Sequence, residues 1–111
     1  MLPPADSDLL DGTAVPADEC DVLIRAVSMG LSHRAIPGTS AMCAAAAANI
    51  EGTVVQRCST SSGSELRIAT PSGVVATAAD VSAEDGGLKV TAASLFRTAR
   101  PLMRGQVALP Q

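Results

Sequence analysis

An unbroken run of five alanines, Ala44–Ala48, follows Ala41-Met42-Cys43 and ends only at Asn49. Alanine is the best helix former, so the run predicts a helix that begins after Pro37-Gly38, where Thr39 or Ser40 can cap it. Before Asn49 every side of that helix is small and apolar. A helix without a polar face belongs inside a fold, and small side chains let neighbouring backbones come close. Other elements must therefore wrap a thin central rod. The rest of the composition makes the same demand: 111 residues include no Trp, no Tyr and one Phe, at Phe96. Aromatic rings bury the most apolar area each, so this core has to be made of Ala, Val, Leu, Ile and Met. A domain of this length hides about two-thirds of its unfolded surface. A partner surface is expected to contribute to its stability.

Around that helix the pattern changes along the chain. Residues 1–16, rich in Pro, Asp and Gly, read as a loop or a severed linker, which leaves 17–111 as the folded part. Over 17–29, Cys20, Leu23, Ile24 and Val27 recur at helical spacing. Asp18, Glu19 and Asp21 crowd the first turn, Arg25 stands where it can pair with Asp21, and Gly30 supplies a stop. A first helix is expected there, followed by a short strand at 32–36. After Gly52 the pattern becomes one of strands. They fall at Thr53–Cys58, at Glu65–Ala69 with Leu66 and Ile68 on one face, at Val74–Ala79, at Leu88–Phe96 and at Gln106–Leu109. Polar turns or loops separate them at 59–64, at Pro71-Ser72-Gly73 and at 80–87. The expected class is α+β, a curved, mostly antiparallel sheet wrapped on the alanine-rich helix.

The formal net charge is −3, and a nucleic-acid footprint needs a basic stripe. Arg97, Arg100 and Arg104 gather near the end, but they make a local feature, so no nucleic-acid partner is expected. No apolar run approaches the roughly 20 residues that cross a bilayer, and the start of the chain lacks the basic-then-apolar character of a signal peptide. No membrane partner is expected. Three cysteines, Cys20, Cys43 and Cys58, are odd in number and lack metal-ligand spacing. They are expected as free thiols in a reducing, cytoplasmic compartment, with no metal. On a buried helix, an apolar stripe and a strand end, they read as small core residues rather than nucleophiles.

Several segments, taken in order, resemble the end of the PrpF family. They are Ala26-Val-Ser-Met-Gly-Leu-Ser-His33, Pro37-Gly-Thr-Ser-Ala41, Thr70-Pro-Ser-Gly73, and Leu88-Lys-Val-Thr91 leading to Arg97-Thr-Ala-Arg-Pro-Leu-Met-Arg-Gly105. The resemblance runs over about residues 18–110, and the Arg-Thr-Ala-Arg…Leu-Met…Gly piece is its most specific part. That family includes 2-methylaconitate cis–trans isomerase, methylitaconate isomerase and 4-oxalomesaconate tautomerase. The resemblance implies one lobe, the C-terminal one, of a diaminopimelate epimerase-like fold, in which two lobes each wrap a sheet around a central helix and the active site lies between them. It also implies cofactor-free proton transfer on a small unsaturated di- or tricarboxylate. The cysteine and lysine that move the proton in the family come from its first lobe, so neither is assigned to a residue here. Acting alone, this chain is expected to be inactive and to need a first lobe, or a second copy, as a partner.

The resemblance puts substrate contact at the start of the alanine helix. The backbone amides of Gly38, Thr39 and Ser40, with the Thr39 and Ser40 hydroxyls, are the candidates, because a helix N-terminus offers unpaired N–H groups and a positive dipole end. Ser72 in the Pro-Ser-Gly turn is a further candidate. Pro37 stands where the related epimerases carry a second catalytic cysteine, so this lobe is read as one that binds. Thr70 stands where family members commonly have histidine, which removes a titrating group. Each candidate also has a plainer reading: a helix cap for 38–40, a tight turn for Ser72, a structural histidine for His33, and salt bridges or lobe contacts for Arg97 and Arg100. The rival to the isomerase reading is a non-catalytic remnant that self-associates through exposed apolar surface.

Overall fold

The computed structural model describes residues 1–84 and 86–110. Its centre is α1, Gly38–Ala48, lying on one face of a four-stranded mixed sheet. The strands are β3, Val22–Leu23; β6, Glu65–Thr70; β7, Gly73–Glu84; and β8, Gly87–Leu95, in the order β3-β6-β7-β8. β3 runs parallel to β6, and the other two pairings are antiparallel. A second helix, α2, Val54–Cys58, packs beside α1. Two small hairpins complete the α+β chain: β1 (Ser7–Asp8) with β2 (Ala14–Val15), and β4 (Val27–Ser28) with β5 (Leu31–Ser32).

The core lies where α1 meets the sheet. Ala41, Ala44 and Ala45 sit against Val22, Ile24, Leu66, Ile68 and Ala79, with Val55 of α2 closing one side. Methyl-sized side chains bring helix and sheet backbones together, as the composition requires. At Gly38 the approach is closest: an added Cβ would stand 3.0 Å from Leu95 Cδ2 of β8. The helix is not buried all round, however. Thr39, Ser40 and Cys43 are exposed, because among the described residues nothing covers the flank of α1 turned away from the sheet.

Several expectations for individual elements are corrected. Residues 17–29 form no long helix. A single 3-10 turn at Ala17–Glu19 leads into β3. Val22 and Ile24 face α1 while Leu23 packs on Cys20 and Ala69 behind. A strand buried on both faces leaves apolar residues at spacings that imitate a helical stripe. Asp21 pairs with Arg67, not Arg25, whose guanidinium donates to the carbonyls of Ile24 and Ala69. Gly30 ends no helix: with Met29 (φ 52°) and Gly30 (φ 79°) both left-handed, it makes the tight turn of the β4–β5 hairpin. The strand expected at 32–36 shrinks to β5, which ends at Ser32.

Thr53–Cys58 was expected as a strand and is a helical turn instead. Thr53 Oγ1 accepts from Gln56 N at 3.1 Å and donates to Ala47 O at 2.6 Å. This N-cap, with Val55 seated against α1, outweighs the strand preference of the paired valines. The polar loop expected at 80–87 is mostly strand, since β7 continues to Glu84 by alternating Val81 and Ala83 with Ser82 and Glu84; Asp85 lies outside the described residues. No strand forms at 106–109 among the described residues. Within 1–16, expected as loop, the β1–β2 hairpin and a bridge from Leu2 to Leu23 tie the segment to the sheet.

Candidate functional site

The start of α1 opens into a cleft of about 560 Å³. One wall is Ala35, Ile36 and Gly38. The other is built by Ser72, the first residues of β7 (Val74–Ala76) and the stretch Leu95–Thr98 that follows β8. Two local features shape it. The N-cap of α1 is Pro37, which carries no side-chain acceptor, so no side chain caps the helix, and Thr39 and Ser40 lie within its first turn instead of capping it. The first N–H groups of a helix lack intrahelical partners. Meanwhile Phe96 N donates to Ala76 O at 3.2 Å, and this bond carries Arg97 back beside the Pro71–Gly73 turn.

That turn is held from several sides. Ser72 Oγ donates to Arg34 O at 2.7 Å, which anchors the chain leading into α1. Leu10 N donates to Pro71 O at 2.8 Å. Thr70 is buried; its hydroxyl donates to Gly73 O at 2.8 Å and accepts from Ser72 N at 3.3 Å. A threonine here closes the turn and leaves no titrating group in it.

The structure thus brings Gly38, Ser72 and Arg97 into one cleft. Thr39 is exposed in the first turn outside its lining, and Ser40 lines a different groove of about 350 Å³ on the open flank of α1, together with Cys43, Ala47 and Val55. His33 is exposed, and its backbone N–H donates to Ala26 O at the base of the β4–β5 hairpin. Arg100 is exposed and apart from the cleft.

Electrostatically the cleft is positive. Arg97 has no ion-pair partner among the described residues, and no carboxylate lines the walls. The partial positive charge of the helix start adds to Arg97. A cleft of this kind suits an anion with a small apolar body, because Val74, Ala76 and Phe96 supply the rest of the surface. Sequence reasoning underweighted Arg97 because its nearness to Gly38 depends on β8 returning along β7, which no local pattern announces. Among the described residues no group of three or more His, Cys, Asp and Glu side chains could hold a metal. Cys20, Cys43 and Cys58 are free thiols. Burial pushes the Cys20 thiol above its ordinary value, which keeps it protonated in the core.

The sequence profile described as "PrpF protein" matches residues 2–110. The chain belongs to the PrpF family. Curated members of that family lie close to it. It is 37% identical over 112 residues to a 2-methyl-aconitate isomerase of Shewanella oneidensis, covering 100% of this chain and 28% of that protein. It is 36% identical over 102 residues to a 3-methylitaconate isomerase of Eubacterium barkeri, covering 90% of this chain and 26% of that protein. The crystal structure of a methylitaconate-delta-isomerase superposes with a TM-score of 0.68 at 25% identity, over 86% of this chain and 26% of that one. The α+β fold described above is therefore part of the PrpF architecture, and the chain spans about a quarter of the length of the relatives it matches. No helix among the described residues is long and apolar enough to cross a membrane.

Proposed function

We propose that this chain is the substrate-binding portion, from the C-terminal lobe, of a cofactor-independent isomerase acting on a small unsaturated di- or tricarboxylate. The observation that carries the reading is the cleft at the start of α1: an uncapped helix end, Arg97 and no carboxylate, in a chain whose relatives are named for isomerising methylaconitate and methylitaconate. Moving a carbon–carbon double bond requires loss of a proton next to a carboxylate and its return at another carbon, with no net change in atoms. The intermediate carries extra negative charge on the carboxylate oxygens. Donors already in place for that charge lower the barrier, since they need not reorganise.

In this reading the Gly38 backbone amide, with the helix dipole of α1 behind it, holds one carboxylate, and the Arg97 guanidinium holds a second by paired hydrogen bonds; Thr39 and Ser40, outside the cleft lining, contribute through the first turn of the helix. Ser72 positions the wall through Arg34 and reaches substrate only at its edge. The groups that remove and return the proton come from outside this chain, in keeping with Pro37 and Thr70 at places where acid–base side chains would otherwise stand.

The test is a titration of the isotopically labelled chain with methylitaconate, followed by amide chemical shifts. The largest shifts are expected at Gly38 and at the Arg97 side chain, with no turnover by this chain alone. Arg97→Gln is expected to weaken binding at least tenfold, as loss of one charge-assisted contact worth about 1.5–3 kcal/mol predicts. Saturating ligand without shifts at the helix start would sink the proposal and favour a non-catalytic module.

A further inference from the structure

We infer that Thr70 is a positioning residue for the cleft: its buried hydroxyl holds the Pro71–Ser72 turn in the form that lets Ser72 brace the chain entering α1. Strand pairing sets Thr70 opposite Gly73, so Pro71 and Ser72 make a two-residue hairpin turn between β6 and β7. Hairpins this short favour turns with φ above zero at the first central residue or at both, because that twist matches the strands. Proline locks φ at about −65°, and Ser72 has no positive φ either. The turn is therefore of the kind that splays its strands, and another group has to hold it closed. Thr70 does so. It is 2% exposed, and its Oγ1 donates to Gly73 O at 2.8 Å while accepting from Ser72 N at 3.3 Å, so that one hydroxyl ties both later residues of the turn.

The consequence reaches across the cleft. Ser72 Oγ donates to Arg34 O at 2.7 Å, and Arg34 leads through Ala35 and Ile36 to Gly38, the wall that carries the helix start. Arg97 stands on the opposite wall, the one to which Ser72 belongs. Thr70, acting through Ser72, thus sets the spacing between the two groups that attract an anion. Resting on the isomerase reading of the cleft, that spacing matters to a dicarboxylate, which must meet both walls at once. It matters little to a monocarboxylate, which needs one. Walls already held at the right spacing reduce the ordering cost of binding. A residue that only stabilised the fold would affect both ligands alike.

Two measurements on the isotopically labelled chain and its Thr70→Val, Thr70→Ser and Ser72→Ala variants test this. Without ligand, Thr70→Val is expected to shift the amide signal of Ala35, whose peptide holds the Arg34 carbonyl, together with those of Ile36 and Gly38. Thr70→Ser, which keeps the hydroxyl, is expected to leave them in place. Silence at 35–38 in Thr70→Val overturns the inference whatever the cleft binds. With ligand, Thr70→Val and Ser72→Ala are expected to weaken methylitaconate at least about threefold, the effect of one hydrogen bond of ordinary net strength, and to leave the monocarboxylate crotonate unchanged. Thr70→Ser is expected to bind both as the unaltered chain does. Equal loss for the two ligands marks a merely structural role and also overturns the inference. If the unaltered chain binds neither, the isomerase reading fails, while the ligand-free shifts still decide the role of Thr70. Circular dichroism checks each fold; should Thr70→Val misfold, Ser72→Ala, which leaves the turn's own bonds intact, carries both expectations.

Discussion

Asp21 and Arg67 stand 46 residues apart in sequence and hold β3 against β6. Asp21 accepts from Arg67 N at 2.7 Å and from the guanidinium at 2.8 Å. Burial raises the Asp21 carboxyl, but the Arg67 side-chain and backbone hydrogen bonds and the guanidinium charge outweigh it and hold it below the ordinary carboxylate value. A folded pKa below the unfolded one gives a stabilisation that is complete above the unfolded value of about 3.9 and fades as pH falls through the folded one. Urea unfolding from neutral pH down into that range is expected to show this loss, and Asp21→Asn to show less of it. At neutral pH the substitution is expected to cost about 1–2 kcal/mol, less than breaking a fully buried pair costs, because the Arg67 side chain is 41% exposed and solvent screens it.

The α1 rod works only with alanine-sized side chains on its sheet face. Ala45 is fully buried against the sheet. Ala45→Leu inserts methylenes where no space exists, and thermal or urea unfolding is expected to show a loss of about 1–3 kcal/mol. Helix propensity made α1 legible, since five alanines admit little else. It did not reveal that one flank stays open, because whether a face is covered is a property of neighbours. α2 and β3 were misread for related reasons. Valine favours strands, yet the Thr53 cap and the Val55 contact with α1 decide for a helical turn. β3 is buried on both faces, and its apolar spacing alone does not separate a strand from a helix.

The whole molecule is drawn out, with a radius of gyration of 17.2 Å against about 13 Å for a compact chain of this length. Its stability should vary accordingly along the sheet. Hydrogen exchange is expected to protect β6 and the first half of β7, and to leave the outer ends of β7 and β8, residues 81–84 and 87–90, exchanging far faster. Equal protection throughout would contradict strand ends that lie outside the core. The same extended shape explains why Gly38, Ser72 and Arg97 meet: β7 and β8 double back on one another and return the chain after Leu95 to the turn at which β7 began.

By itself the sequence determined the alanine helix, the Leu66 and Ile68 face of β6, the turn at 71–73, the aliphatic core and the resemblance to the PrpF family, because each rests on local propensity, two-residue alternation or an ordered string of motifs. Only the tertiary structure decided that 17–29 supplies a parallel strand, that Asp21 answers Arg67 rather than Arg25, and that Arg97 shares a cleft with the start of α1. These depend on long-range pairing between β3 and β6 and between β7 and β8. A hydrogen-bonded strand pair fixes residues far apart in sequence, and nothing in either segment alone encodes which partner it will find.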